Sequence, residues 1–592
     1  MTGAVWRVLP DVPAVDRPFD YRPVPDADPP IGTVVRVDLH GRRVRGWLLE
    51  RPAEPAVPAE QLRTARAVVS AGPTEALVDL CRWAAWRWAG PQSSLLRAAS
   101  PPQIVALSDV PTEPDVAVHP APAALVELPA RPRRLVVWPP VRPRAELVTS
   151  LLASEGSTIV CTPQRADQTA LAESVRATGR PVVELHGDDP AAVRTAAWRE
   201  ARRGACVVIG GRTTAFAPVP DLAAAIILDD ADEALVAEAA PTWHARDVLL
   251  ERLDRLDGVA TLVSPAPTVE ALAACGPPVA PVGDPRGGWP ILEVVDRRTE
   301  PPGLGLLGAR LADALHEALR DAGRAVCVLN RRGRARLLIC RRCGEPARCE
   351  HCGVAMVEAD GGLRCPRGDG DRPTVCAVCG ATDLRPARPG VRRLRDDLAA
   401  LLPRARVSAT ESGAEPDADA DIVIGTEAAL HRVTPGRPVR LVAYLDVDQE
   451  LLAARFRAAE QALWLLVRGA RLVGDPRAGG RLLVQTRVPD HEVLRAAQTG
   501  DPLPLLRAET ARRQAIGLPP FGGLAALGGD ADAVAAAATA LRERLDVLGP
   551  VDGQALLRAP STRKLADALA ATDLAPARQR GRVRVDVDPQ RV

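Results

Sequence analysis

Seven cysteines crowd between residues 340 and 379, in the stretches "CRRCGEPARCEHCG", "LRCPRGDG" and "VCAVCG". Cys340/Cys343, Cys349/Cys352 and Cys376/Cys379 are C-x-x-C pairs, each closed by a glycine (Gly344, Gly353, Gly380). A two-residue gap lets both sulfurs reach one metal ion, and glycine lets the amides of the turn face the thiolates. Two such pairs make a tetrahedral four-sulfur site, so the chemistry on offer is structural zinc binding. Seven sulfurs cannot complete two sites, because Gly368 stands where a cysteine would close a fourth pair with Cys365. However the pairs nest, one site is complete and the other has three sulfurs. The nesting carried forward makes Cys340, Cys343, Cys376 and Cys379 the complete site. Cys349, Cys352 and Cys365 then need a fourth ligand from Asp369, Asp371, His351 or water, with Asp369 the first choice. No H-E-x-x-H or equivalent base lies nearby, so the expected role is a folding staple or interaction platform.

A second constellation lies at residues 225–236, "AIILDDADEALV". An apolar strand ending in Asp229 and Asp230 has the form of a Walker B segment. There one carboxylate holds Mg²⁺ and its neighbour orients the attacking water. Such a site needs a lysine for the phosphates, yet of 76 Lys+Arg only Lys564 is a lysine. The arginine bias, with abundant Ala, Pro and Gly, reflects a GC-rich coding sequence.

These groups must be positioned by a large chain. Its 592 residues suffice for roughly three to five domains. Hydrophobic content of 47% and charged content of 25% are those of a globular protein. A net charge of +2 leaves no global field to drive the chain onto nucleic acid, so any such contact must be local. No signal-peptide run opens the sequence, and no apolar stretch approaches the ~20 residues of a membrane span. With five further cysteines scattered singly (Cys81, Cys161, Cys206, Cys275, Cys327), the expectation is a reduced, cytoplasmic protein.

Residues 1–100 begin with β-like runs ("GTVVRVDL", "GRRVRGWLLER") and end in a helical pattern, "EALVDLCRWAAWRWAG". Trp83, Trp86 and Trp88 sit on that pattern as core residues. Residues 101–132 form a Pro/Ala-rich linker. From 133 to 288, "RLVVW", "TIVCT", "PVVEL", "CVVIG", "AAIILDD" and "ATLVS" alternate with helical segments, which predicts a parallel α/β sheet. A second set spans 289–490 ("RAVCVLN", "ARVSAT", "ADIVIG", "VRLVAYLD", "RLLVQT"), interrupted by the cysteine insert at 338–381. Residues 491–592 make a small α+β unit, with helical "DAVAAAATALRERLDVLG" before strands "QALLRAP" and "GRVRVDVDP". The fold class is multidomain α/β: a β-rich N-terminal domain, two RecA-like parallel-sheet lobes with a zinc-binding insert in the second, and a small C-terminal domain.

"LNRRG" at 329–333, followed by paired C-x-x-C-G knuckles inside a second lobe, resembles the PriA family of primosomal replication-restart proteins. "DRPFDYR", "GTVVRVDLHGRRVRG", "WAAWRWAGPQSSLLRAASPP", "FRAAEQALWLL", "RRQAIGLPPFG" and "VRVDVDP" carry the resemblance in order along nearly the whole chain. It implies ATP-dependent DNA helicase lobes and an N-terminal domain that binds the 3′ end of the leading strand at a fork. Phe19 and Asp20 match that pocket's "FDY" segment, and Gly41 matches its loop glycine. An aromatic beside a carboxylate suits an end base and a 3′-OH. The implied partners are forked DNA, other primosome proteins, the replicative helicase and single-strand binding protein, at the nucleoid.

The departures bear on ATP. Where the family's phosphate loop should lie the chain reads "WPPVRPRAELV", with prolines in place of amide donors and Arg144 about where the lysine would be. A phosphate loop needs glycine amides, a lysine and a hydroxyl, and arginine is too large and planar for that lysine's place. Ala231 replaces a carboxylate, "SPAP" replaces the motor's S-A-T segment, and "RGARLVGD" holds Leu472 and Asp475 at the γ-phosphate arginine positions. Arg471 reaches such a position only with a one-residue shift. Residues 101–132 stand where the family has a winged helix. Asp229 and Asp230 are therefore expected to be a degenerate Walker B pair with no catalytic residue, and ATP binding is not expected. The function expected is fork binding and reloading of the replicative helicase without an ATPase. The alternatives are an active 3′–5′ helicase, or a zinc-ribbon interaction module that does not touch DNA. The arginine clusters at 42, 43 and 45 and at 331–342 are candidate phosphate contacts.

Overall fold

The computed structural model describes residues 5–592 except 14, 112, 116, 121–122, 282, 301–304, 330–336, 360, 387–390, 411–416, 434–435, 476 and 478. Arg331, Arg332, Arg334 and Arg336 of the second arginine cluster therefore lie outside the described residues.

The N-terminal domain is a six-stranded sheet. Its strands are β1 (Trp6–Pro10), β2 (Phe19–Arg22), β3 (Val34–Leu39), β4 (Arg42–Glu50), β5 (Arg63–Thr64) and β6 (Ala67–Ser70), in the order β5-β2-β1-β4-β3-β6. Side chains alternate across it, so Trp6, Val8, Tyr21, Val35, Val37 and Leu48 fill one face. The Tyr21 hydroxyl donates to the Asp38 carbonyl (3.2 Å), so the sheet curls and β2 meets the far end of β3. Helix Glu75–Arg87 follows, its N-terminus capped by Thr74, whose hydroxyl accepts from the Leu77 amide. Its buried stripe of Leu77, Val78, Leu80, Cys81 and Ala84 has helical spacing and joins a core shared with Leu249 and Leu253 of the first lobe and Leu565 and Leu569 of the C-terminal domain. Trp88 is fully buried and meets Trp83 edge-on at 5.4 Å, and the Trp86 indole donates to Asp567 (3.1 Å). These tryptophans fasten domains together.

The first lobe contains β7 (Arg133–Val137), β8 (Ser157–Cys161), β9 (Val182–Leu185), β10 (Val207–Gly210), β11 (Leu222–Leu228) and β12 (Val259–Ser264). All six are parallel, in the order β7-β12-β11-β8-β10-β9. Their unbroken apolar runs follow from burial on both faces. The second lobe repeats the plan with β13 (Ile291–Asp296), β14 (Arg324–Val328), β20 (Val407–Thr410), β21 (Ile422–Gly425), β22 (Val439–Tyr444) and β23 (Arg481–Thr486), in the order β13-β23-β22-β14-β21-β20. Between β14 and β20 sits the insert, with β15 (Leu338–Cys340) paired to β19 (Leu384–Pro386), and β16 (Val357–Ala359), β17 (Gly362–Arg364) and β18 (Asp371–Pro373) in a second small sheet. The architecture is two RecA-like parallel-sheet lobes, each with six strands.

The C-terminal sheet holds β24 (Gly523–Gly529), β25 (Asp546–Val551), β26 (Gln554–Ala559) and β27 (Val583–Val587), antiparallel in the order β25-β26-β24-β27. Two readings from sequence need correction here. The helix expected to run through "DVLG" ends at Leu541, and Asp546–Val551 is a strand. β24, "GLAALGG", and β13, "ILEVVD", were not anticipated as strands. The first is glycine-rich and the second half-exposed along its length. Among the described residues, no helix is long and apolar enough to cross a membrane.

Candidate functional site

The insert brings its cysteines into two groups. Cys340, Cys343, Cys376 and Cys379 form one, and Cys349, Cys352, Cys365 and Asp369 the other; the donor atoms of each lie within 4.8 Å of one another. Sulfur separations are 3.6 Å for Cys340–Cys379, 3.5 Å for Cys343–Cys376 and 3.5 Å for Cys352–Cys365. A disulfide would need about 2.05 Å. Sulfurs about 2.3 Å from a shared tetrahedral ion lie near the separations seen. The turns have a common build. Gly344, Gly353 and Gly380 are left-handed (φ +76°, +72°, +70°), and their amides donate to the carbonyls of Cys340, Cys349 and Cys376. At Cys365 the turn is one residue tighter, with the left-handed Gly368 (φ +82°) donating its amide to the Cys365 carbonyl, and the Asp369 carboxylate comes to 3.7 Å from the Cys365 sulfur. Neither Asp371 nor His351 joins that group. Both donor sets can hold a metal ion. The insert is tied to its lobe by the Ala355 amide on the Leu452 carbonyl (2.8 Å) and by Arg367 on the Ala454 carbonyl (3.2 Å).

The cleft between the lobes lies at the C-terminal ends of the parallel strands, where α/β sheets place their sites. In the segment after β7, Pro139, Pro140 and Pro143 have no amide hydrogen. The Val141 amide is bonded to the Gly288 carbonyl and the Arg142 amide to the Pro139 carbonyl. The Trp138 indole donates to the Arg142 and Pro143 carbonyls (both 3.2 Å), while the Arg142 guanidinium lies 4.6 Å from the Trp138 ring. Residues 139–143 thus present no free amide, held by bonds within the loop and to Gly288.

Asp229, at the end of β11, is 1% exposed and has φ +61°. Arg144 donates to its Oδ2 (2.8 Å), and Arg471 clamps both oxygens (2.7 Å each). These two guanidiniums hold its carboxyl below the usual range against the burial that opposes ionisation. Arg144 also pairs with Asp167 (2.6 Å). One turn before Arg471 on helix Ala458–Val473, Arg468 pairs with Asp232 (3.0 Å) and with Glu427, and Arg468 and Arg471 both lie over Trp464. Asp230 is enclosed differently. Its Oδ2 accepts from Thr268 and Arg246, its Oδ1 has no partner, and burial pushes its pKa up.

A third cross-lobe group was not found by sequence reasoning. Arg513, 1% exposed, binds Glu460 (2.5 Å), Glu509 (2.8 Å) and Glu270 (3.3 Å); Arg457 reaches Glu270 (2.6 Å), and the Val269 amide donates to Glu460 (2.7 Å). It joins helix Val269–Cys275 of the first lobe to helices Ala458–Val473 and Leu503–Ile516. Its only sequence signal was the arginine pair in "RRQAIGLPPFG".

In the N-terminal domain, the Asp20 carboxylate is engaged. Arg7 Nε (2.8 Å), Arg7 Nη2 (3.1 Å) and the Ala56 amide (2.6 Å) donate to it, its side chain is 3% exposed, and Arg7 holds its pKa down. Asp20 is the anchor of Arg7, which Glu50 holds from the other side (2.7 Å), and is not an open acceptor for a base or hydroxyl. Phe19 is half-buried, with the Arg17 guanidinium 4.9 Å from its ring. Gly41 forms the tip of the β3–β4 hairpin (φ +79°), with open space where a side chain would stand.

Residues 7–101 match the family model of the PriA 3′DNA-binding domain, and residues 514–590 that of the primosomal protein N C-terminal domain. The probable replication restart protein PriA of Mycobacterium tuberculosis H37Rv is 30% identical, over 93% of this chain and 91% of that protein. The corresponding Mycobacterium leprae protein is 28% identical with the same coverage. Among solved structures, a DEAD box protein from Methanococcus jannaschii overlaps 62% of this chain and 85% of its own at 12% identity, with a TM-score of 0.28. With a relative 30% identical over 93% of its residues and with family models matching at 7–101 and 514–590, this chain belongs to the PriA family of replication restart proteins.

Proposed function

We propose that the protein binds abandoned replication forks through its N-terminal domain and acts as a scaffold on which the replicative helicase is reloaded, without hydrolysing ATP itself. The observation that carries the second half is the state of Asp229. Its carboxylate is neutralised by Arg144 and Arg471, so the charge that would hold Mg²⁺–nucleotide is already compensated by protein. In the adjoining loop Pro139, Pro140 and Pro143 carry no amide hydrogen, and the Val141 and Arg142 amides are bonded to carbonyls. The match to a 3′DNA-binding domain supports the first half. Phe19, Asp20 and Gly41 border the end-binding pocket in this reading, Asp20 acting through the Arg7 it fixes. Zinc occupies both cysteine sites as a structural tie, with Asp369 completing the second. Primosome proteins, the replicative helicase and single-strand binding protein are the partners, and the setting is the cytoplasmic nucleoid.

The test is equilibrium binding, without nucleotide, to two forks that differ only in a 3′-OH or 3′-phosphate on the leading-strand end. A preference for 3′-OH that is lost in Asp20→Ala supports the end-sensing reading. Equal or absent binding refutes it and moves the function to the insert and to protein partners.

A further inference from the structure

The β3–β4 hairpin carries a cationic face with little internal compensation. Its strands pair so that Arg36 lies opposite Arg45 and Asp38 opposite Arg43. Because side chains alternate, Val35 and Val37 enter the core while Arg36, Asp38, Arg43 and Arg45 share the outer face. Nearer the domain centre that face buries Trp47 and Leu49 in the core shared with helices Glu75–Arg87 and Gln92–Ala99. Farther out its arginines are exposed. Like charges directly opposite each other weaken a ladder, and neither Arg36 nor Arg45 makes an ion pair among the described residues. Asp38 is the one carboxylate among the four, and it is hydrogen-bonded to Arg66 (2.7 Å) rather than to Arg43. On this outer face three exposed arginines, Arg36, Arg43 and Arg45, accompany a single aspartate that Arg66 already holds.

We propose that this face docks on the phosphate backbone of a duplex DNA arm next to the bound end. The inference rests on the DNA-binding reading of this domain and adds the part of the fork it touches. Guanidiniums two residues apart on one strand face repeat at about 7 Å, a row suited to a periodic polyanion and not to one small anion. Arginine's fork of donors matches phosphate oxygens. Single-stranded DNA is normally held by aromatic platforms on which bases stack. The exposed part of this hairpin has no Phe, Tyr or Trp and only His40 at its tip, so backbone contacts that position a duplex without reading sequence are what its arginines can make.

The test uses the full-length protein and a variant with Arg36→Gln, Arg43→Gln and Arg45→Gln. Its unchanged or raised melting temperature establishes that the fold is kept, since a repulsive cross-strand pair is removed. Binding to labelled forks is followed by anisotropy between about 50 and 200 mM salt. Each lost phosphate contact makes the slope of log K against log salt shallower by about 0.9. Losing three makes the parent's affinity fall about 40-fold more than the variant's across that range, while the preference for a 3′-OH end is kept. A variant slope equal to the parent's overturns the duplex-arm inference and leaves end recognition standing. Loss of binding to an acidic peptide, with the DNA slope unchanged, overturns it in favour of a protein partner. A parent that binds no fork at all removes the underlying reading and this inference together.

Discussion

Replacing Arg471 by alanine removes the bidentate partner of a carboxylate that is 1% exposed. Breaking a buried ion pair from one side strands the other charge and costs about 3–5 kcal/mol. Arg144 still donates to Asp229, and the Arg471 side chain is itself 19% exposed, so the lower end, about 3 kcal/mol, is expected. For units the size of these lobes that corresponds to a fall of about 6–12 °C in the calorimetric transition that carries them. The double variant Arg471→Ala with Asp229→Asn no longer strands a charge beside Arg144, so it should melt above Arg471→Ala alone. The same instrument tests the nucleotide argument. A ligand at a hundred times its Kd adds about 2.7 kcal/mol to the native state, whereas Mg-ATP is expected to leave the parent's transition where it is. An Arg471→Ala transition within about 2 °C of the parent's would refute the reasoning, since the clamp would then contribute little in solution. A clear upward shift with Mg-ATP would refute it from the other side.

The remaining predictions concern the insert and an acid of the second lobe. Asp369→Ala should lower the zinc content measured by elemental analysis from both sites to the four-sulfur site alone. Asp369→Cys should retain both ions and slow their release to a chelator; equal content in Asp369→Ala would remove Asp369 as a ligand. Asp446, pushed up to about 7 by burial and by neighbouring Asp448, binds a proton in the folded protein across a range where the unfolded chain has released it. Its contribution to stability is therefore fully present below about pH 4 and is lost, at up to about 1.4 kcal/mol per pH unit, as pH rises towards 7. Asp446→Asn should flatten the fall in melting temperature between pH 5 and 7 relative to the parent, and an unchanged profile would show that Asp446 titrates normally.

What could be read from sequence, and what could not, divides by the range of the interaction. A C-x-x-C-G turn is complete within five residues, so the groupings of Cys340 with Cys343 and of Cys376 with Cys379 were already implied by spacing. Cys365 with Asp369 was the first choice for the same reason. The lobes were legible because a strand buried on both faces must be apolar along its whole length, as "AAIILDD" is. β13 and β24 escaped because one is half-exposed and the other is built largely of glycine and alanine. The pairing of Asp229 with Arg471 spans 242 residues, and that of Glu270 with Arg513 spans 243. In a chain whose positive charges are almost all arginine, no local feature separates these two from the rest. Even so, the local changes in the cleft make sense only together. A carboxylate at the end of a buried strand must be compensated, by a cation such as Mg²⁺ or by basic side chains. Arg144 is too large for a lysine's place in a phosphate loop, yet it is long enough to reach Asp229 from the first turn after β7. Arg471 reaches the same group from the opposite lobe. The Asp229 charge is thus satisfied by side chains on both sides of the cleft, and the lobes hold each other directly.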